Sequence, residues 1–306
     1  MKKPIVVTTG QAFADIDAVA CAIAYAELLR LEGKSAEVVL PGVLNNSVTD
    51  SVKSWGLDYL TAPTHSDSEY VLVDISEPVH FATCTKQGVV TEVYDHHPGF
   101  ETYWQEKIGV DAHIEPIGAA ATLIWEAWKK RGQAEHITQK SAQLLAVAIL
   151  SNTLNFGAVI TDERDHRAFD ELQARFPLTD EWIVRYFTEQ ESVVIRDVKQ
   201  AIINDTKVLS FSGYPYPVTV GQLELWDGST FLQTHAEVIQ SALGSFGHER
   251  WVMSIPNLSL KKNHFYTKNE EVQALFSKGL GITFNGDFAT SERLWLRKEI
   301  LKKLAV

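Results

Sequence analysis

Apolar and polar positions alternate between two periods along the first half of the chain. Ile5-Val6-Val7-Thr8-Thr9 is a short β-branched run ending in Gly10, the pattern of a buried parallel strand. Ala18 to Leu31 is Ala/Leu-rich and predicts a helix stopped at Glu32-Gly33. Further strands are predicted over Ala36–Leu40, Tyr70–Ile75 and Val89–Tyr94, and helices over about 118–130, 139–151 and 163–175. Strands separated by helical crossovers imply an α/β fold with a parallel sheet covered on both faces.

After Pro177 the texture changes. Residues 181–208 read as largely helical, and Gly213-Tyr214-Pro215-Tyr216-Pro217 as a rigid turn. Val218–Trp226 and Arg250–Ile255 read as strands, and Leu232–Leu243 and Ser291–Leu304 as helices. This predicts a second, smaller α/β domain. The boundary is placed in the region 186–195, giving domains 1–188 and 189–306.

Composition narrows the class. The 306 residues carry 28 Lys plus Arg against 39 Asp plus Glu, a formal net charge of −11. That balance argues against a nucleic-acid coat or an anionic membrane as partner. Cys21 and Cys84, far apart, make neither a disulfide framework nor a thiolate zinc site. Met1–Gly10 lacks a signal-peptide pattern, and no stretch reaches the roughly 18 apolar residues of a membrane span. The expectation is a soluble cytoplasmic protein.

Candidate chemistry gathers at strand ends, where open parallel sheets place their ligands. Asp15-Ile16-Asp17 follows the first strand, Asp74 ends the third, and Asp95-His96-His97 follows the fourth. Asn152 closes an apolar helix within Ser151-Asn152-Thr153. Carboxylates converging there repel: two unit charges 4 Å apart cost about 4 kcal/mol at an effective dielectric near 20. Protonation or a bound cation relieves this, and aspartates with adjacent histidines suit Mn²⁺ or Mg²⁺ better than structural zinc. The remaining histidines have no companion at metal spacing and read as surface or packing residues.

In order and spacing, these motifs resemble the DHH phosphoesterase superfamily, named for Asp-His-His. The second half is similar to the DHH-associated domain of family II manganese-dependent inorganic pyrophosphatases and of exopolyphosphatase and prune-type proteins. Its matches are Asp205-Thr206-Lys207, Gly221-Gln222-Leu223-Glu224 and Leu296-Arg297-Lys298-Glu299. The resemblance implies that Asp15, Asp17, Asp74 and His96 are metal ligands, with Asp74 bridging two ions. It implies that His97 faces the leaving oxygen, that Asp95 orients the histidines, and that Lys207 and Arg297 hold phosphate oxygens across an interdomain cleft. The implied reaction is metal-dependent hydrolysis of a phosphoanhydride, a metal-activated hydroxide attacking phosphorus. The implied substrate is polyphosphate or pyrophosphate, and a homodimer is left open.

Two positions depart from the pyrophosphatase pattern. Gln11 stands where that family has His, and Asn152 where it has Asp. The amide at Gln11 leans toward the exopolyphosphatase branch. With three carboxylates instead of four, the set predicts weaker or more labile metal binding, one of two sites being weak, and more tolerance for Mg²⁺. Two rival readings remain. One is a nucleotide or oligonucleotide phosphodiesterase, for which Gly247-His248 is a partial match with Phe246 in place of a glycine. The other is a catalytically impaired relative that binds phosphorylated ligands.

Overall fold

The computed structural model describes residues 3–304 and divides into two compact units, Met1–Trp182 and Ile183–Val306. The first unit runs β1 (Ile5–Thr8), β2 (Phe13–Ala14), α1 (Ile16–Leu31), β3 (Ala36–Val39), β4 (Val43–Leu44), α2 (Asp50–Lys53) and β5 (Glu69–Val73). It continues through α3 (Thr83–Gln87), β6 (Val89–Asp95), α4 (Glu101–Ile108), β7 (Ala112–Ile114), α5 (Ala120–Lys130), α6 (Gln139–Asn152) and α7 (Glu163–Arg175). Helix α8 (Asp180–Arg196) begins in this unit and ends in the next. The boundary between the units and the one expected from sequence both fall inside α8.

The principal sheet has the order β3-β1-β5-β6-β7, every pair parallel. Both faces are covered, which is why its strands read as near-continuous apolar runs. On one face Leu72, Val93 and Ile114 pack with Phe81 and Trp104. Side chains alternate along a strand, so Val71 and Val73 point to the other face, where α1 and α5 lie along the sheet. From β1 the chain steps outward to β3 and then crosses to β5 on the other side. That reversal leaves a crevice at the carboxyl ends of β1 and β5, the usual ligand position in an open parallel sheet.

The second unit contains α9 (Val198–Asn204), β8 (Thr206–Leu209), β9 (Val218–Gln222), α10 (Phe231–Thr234), α11 (Ala236–Gly244), β10 (Trp251–Asn257) and β11 (Lys262–Tyr266). It ends with α12 (Glu270–Leu280), β12 (Phe284–Asn285), β13 (Phe288–Ser291) and α13 (Arg297–Leu304). Its sheet, β12-β13-β11-β10-β9-β8, is mixed: only β9 and β10 pair in parallel. One core packs Ile202 and Leu243 under Met253 and Ile255, the other Val220 and Phe265 under Phe276 and Ile300.

Several sequence expectations are corrected here. The helical reading of 181–208 stops at Asn204, because Thr206–Leu209 pairs antiparallel with Val218–Gly221 and becomes a strand. The final helix starts at Arg297 instead of Ser291: Ser291 pairs with Asn263 in the sheet, and the Trp295 N–H donates to Asn263 Oδ1 (3.1 Å). Cys21 is buried and Cys84 half-buried, both as free thiols.

Candidate metal centre

The centre is built from the ends of β1, β5 and β6. Asp15 is the N-cap of α1, in extended backbone, and accepts from the Ala18 N–H (3.0 Å). A carboxylate there answers an unpaired helix N–H and the positive end of the helix dipole. Asp17, in the first turn, is fully buried. Its Oδ2 accepts from the Ala120 N–H and its Oδ1 from the Ala121 N–H, both at 2.8 Å, at the start of α5. The Cys21 thiol donates to the same Oδ1 (3.4 Å). Burial pushes Asp17 up to about 6 despite the opposing pull of His96.

Asp74 directly follows β5 with φ of +54°, a left-handed backbone that costs a non-glycine residue roughly 1–2 kcal/mol. Its N–H still donates to Tyr94 O (2.8 Å), so the turn happens at the sheet's last rung and re-aims the carboxylate. Asp74 Oδ1 is buried and has no hydrogen-bond partner among the described residues. It lies 3.4 Å from His96 Nε2 and 3.8 Å from His97 Nδ1. Burial first, then Asp15 and Asp17, hold its carboxyl well above the usual carboxylate range.

Asp95 ends β6 and is fully buried. Its Oδ1 accepts from the backbone N–H groups of His96 (2.8 Å) and His97 (3.2 Å) and from His97 Nδ1 (2.8 Å). That last bond raises the His97 imidazolium above its ordinary range and leaves Nε2 as the free edge of a solvent-facing ring. His96 is oriented differently: its Nδ1 donates to Ile117 O (3.0 Å). A carbonyl only accepts, so Nδ1 carries a proton and Nε2 is turned toward Asp74 Oδ1 and, at 4.0 Å, Asp17 Oδ2.

His96 Nε2, Asp74 Oδ1 and Asp17 Oδ2 therefore converge. A proton on the imidazole or on a carboxyl relieves this, or a cation does, and an imidazole with two carboxylates is a donor set suited to Mn²⁺. Asp74, His96 and His97 bring donor atoms within 4.8 Å of one another. Asp15 shares with Asp74 and His97 a cavity of about 410 Å³. The residues fit an ion.

Gln11 and Asn152 are less engaged. The Gln11 backbone N–H donates to His80 O (2.8 Å), but its side chain is exposed. Asn152, last in α6, donates weakly to Ala148 O (3.5 Å). Immediately beyond it Leu154, Asn155 and Phe156 all hold positive φ (51°, 56° and 61°), a strained turn that reverses the chain at this corner.

Sequence reading missed the frame that holds these ligands. The segment 117–121 supplies three backbone groups to the centre: Ile117 O to His96, and the Ala120 and Ala121 N–H groups to Asp17. Buried Asp165 anchors it, accepting from the Gly118 N–H (2.9 Å), the Thr122 hydroxyl (2.6 Å) and the Asp162 N–H (2.8 Å). A Cβ at Gly118 would meet Asp165 Oδ2 at 2.4 Å, so this position needs glycine. The Asp-x-x-Asp capping box at Asp162 and Asp165 was the visible trace.

In the second unit Lys207 is exposed on β8, not on a helix. Arg297 opens α13 and is held by Asp205, through Asp205 O (2.8 Å) and Oδ1 (2.5 Å). Its backbone N–H donates to Gln222 Oε1 (2.6 Å), whose amide donates in turn to Glu224 (2.9 Å). All three of the motifs quoted for the second half thus meet in one hydrogen-bonded cluster.

Residues 5–149 match the sequence profile of the DHH family, N-terminal domain. The chain is 26% identical over 299 residues to a Bacillus licheniformis protein named manganese-dependent inorganic pyrophosphatase, covering 93% of this chain and 92% of that one. A Listeria welshimeri protein of the same name is 29% identical over 241 residues, 73% of this chain and 72% of its own. A Methanococcus jannaschii crystal structure described as a family II inorganic pyrophosphatase superposes with TM-score 0.61 at 21% identity, over the full length of both chains. An exopolyphosphatase-related protein from Bacteroides fragilis gives 0.55 at 12%, over 98% of this chain and 90% of that one. At those identities the two structures establish the shared fold alone. That fold, a domain with a parallel sheet followed by a second sheet domain, is the one the sequence motifs implied.

Proposed function

We propose that this protein is a divalent-metal-dependent hydrolase of phosphoanhydride bonds, acting on pyrophosphate or on polyphosphate ends as its relatives' names suggest. The single observation that carries the reading is the buried Asp74 Oδ1, unpartnered among the described residues and 3.4 Å from His96 Nε2, an arrangement that a cation would satisfy. Asp15, Asp17, Asp74 and His96 would hold the metal, Mn²⁺ or Mg²⁺ in two sites. The amide oxygens of Gln11 and Asn152 are neutral and leave one site weak. When bound, such ions supply Lewis acidity to a phosphoryl oxygen and acidify water.

The chain's own residues do the rest. His97, whose protonated form the Asp95 hydrogen bond favours, would present Nε2 as proton donor to the leaving oxygen. Lys207 and Arg297 serve as phosphate clamps, a point charge and a planar fork. Arg297 is already half-committed to Asp205, so it arrives oriented, with guanidinium edges to share. The 1–182 unit is the catalytic domain and the 183–306 unit the phosphate-binding one.

Phosphate release from pyrophosphate, tripolyphosphate and long-chain polyphosphate, assayed with Mn²⁺, Mg²⁺ and Co²⁺ and after chelation, tests this. Metal-dependent release that falls at least 100-fold in His97→Gln is expected. No release from any of them with any ion would sink the hydrolase reading. It would favour the impaired relative, whose ground is the exposed Gln11 and weakly held Asn152.

A further inference from the structure

We infer that the substrate's leaving phosphate carries a compact apolar or aromatic group, so that the substrate class is an organic diphosphate in preference to an all-inorganic polyphosphate. The inference rests on the hydrolase reading above and concerns the part of the same cavity that no metal ligand lines. At about 410 Å³ that cavity lies within the roughly 300–1,000 Å³ of sites that hold organic ligands. Beyond Asp15, Asp74, Asp95 and His97 its wall includes Phe13, Ile75, Pro98 and Phe100. Phe13 is 57% exposed on β2, an aromatic face left to water beside a charged centre.

The wall is held in place from behind. Ile75 and Phe100 pack against the Phe81–Trp104 cluster, and Trp104 Nε1 donates to Ser76 O (2.7 Å) between Ile75 and Glu77. A ring laid against such a surface buries apolar area without the protein rearranging. The charges point the same way. The cavity lining contains no Lys or Arg; it contains Glu77, with His80 Nε2 already 3.4 Å from Glu77 Oε2. The cations and the Lys207 and Arg297 clamps assigned above serve the two reacting phosphates; a further phosphate laid along this wall would bring negative charge toward Glu77. A neutral organic group avoids that penalty.

The step balances simply. Water oxygen bonds to the terminal phosphorus as the P–O bond to the bridging oxygen breaks. The bridging oxygen leaves on the organic monophosphate with the proton delivered from His97, and the proton lost by water replaces it.

The test compares phenyl diphosphate, methyl diphosphate, pyrophosphate and tripolyphosphate as substrates of the full-length Mn²⁺-loaded protein. In parallel, calorimetry measures binding of the non-hydrolysable pair phenylphosphonate and methylphosphonate. The expected result is at least a tenfold higher kcat/KM for phenyl than for methyl diphosphate or either inorganic substrate, and tenfold tighter phenylphosphonate binding. Phe13→Ala should collapse the phenyl-to-methyl preference at least fivefold, and Glu77→Lys should shift preference toward tripolyphosphate. Equal use of phenyl and methyl diphosphate, or faster use of tripolyphosphate by the unaltered protein, overturns the inference while leaving the hydrolase reading intact. If nothing is hydrolysed, the hydrolase reading fails, and the phosphonate pair still decides: equal affinities overturn the pocket assignment.

Discussion

Asp74 concentrates the chemistry of the centre in one side chain. It takes a strained left-handed backbone, gives up hydrogen bonding at Oδ1, and is surrounded by Asp15, Asp17 and Asp95. Such an arrangement persists only if the surrounding structure over-determines it. Asp74→Asn should therefore weaken Mn²⁺ binding at least 100-fold by calorimetry while leaving the metal-free protein as stable or more so, since a repelling charge is removed. A metal-free Tm that drops by several degrees would mean Asp74 is structural. Gln11 and Asn152 carry the opposite prediction: restoring imidazole and carboxylate in the Gln11→His plus Asn152→Asp double variant should tighten Mn²⁺ at least tenfold. Unchanged affinity would remove the charge argument. At this scale the candidates were legible because Asp-x-Asp, a strand-end Asp and Asp-His-His are chemically unusual where they stand. His80 and Phe13 were not, because a lone histidine and an exposed phenylalanine look alike in any loop.

Between elements, the joint that matters is the start of α5. Asp17 receives two N–H groups from that helix end and His96 donates to the carbonyl just before it, while Asp165 of α7 pins the segment from below. Asp165→Asn replaces an acceptor of three donors with a group that can satisfy at most part of them, at a cost of about 1–3 kcal/mol. Groups that orient metal ligands typically change affinity 10–100-fold. The variant should therefore lose about tenfold in Mn²⁺ affinity, and Asp165→Glu should not rescue it, because Gly118 leaves no spare room. An affinity within twofold of the unaltered protein would show that the 117–121 segment holds itself. The strands of the first sheet were readable as apolar runs, since burial on both faces demands them. Lys207 was misread as helical because Thr206–Leu209 has no strong local preference, and pairing with β9 settled it.

For the first unit as a whole, the buried carboxylates make stability and metal loading respond to pH in opposite directions. Asp17 is pushed from 3.8 to about 6 in the folded, metal-free protein, so the folded state binds protons more tightly than the unfolded chain between those values. The Asp17 contribution to stability is then fullest below about pH 4 and is lost as pH rises through 6, by an amount of order 3 kcal/mol at most. A cation replaces the missing proton. Chelated protein should lose Tm between pH 5 and 7.5, and excess Mn²⁺ should restore it increasingly over the same range. Parallel Tm profiles with and without metal would contradict the assignment of the cluster as an ion site.

Alternation of period, the positions of the acidic motifs and the change of texture after Pro177 were properties of the chain alone, because they follow from which residues must face a core and which cannot. The order β3-β1-β5-β6-β7, the orientation of His96, the reach of α5 to Asp17 and the apolar wall beside the carboxylates were not. Each depends on groups 20 to 100 residues apart meeting within hydrogen-bond distance, and no local pattern encodes which carbonyl or ring will be waiting there.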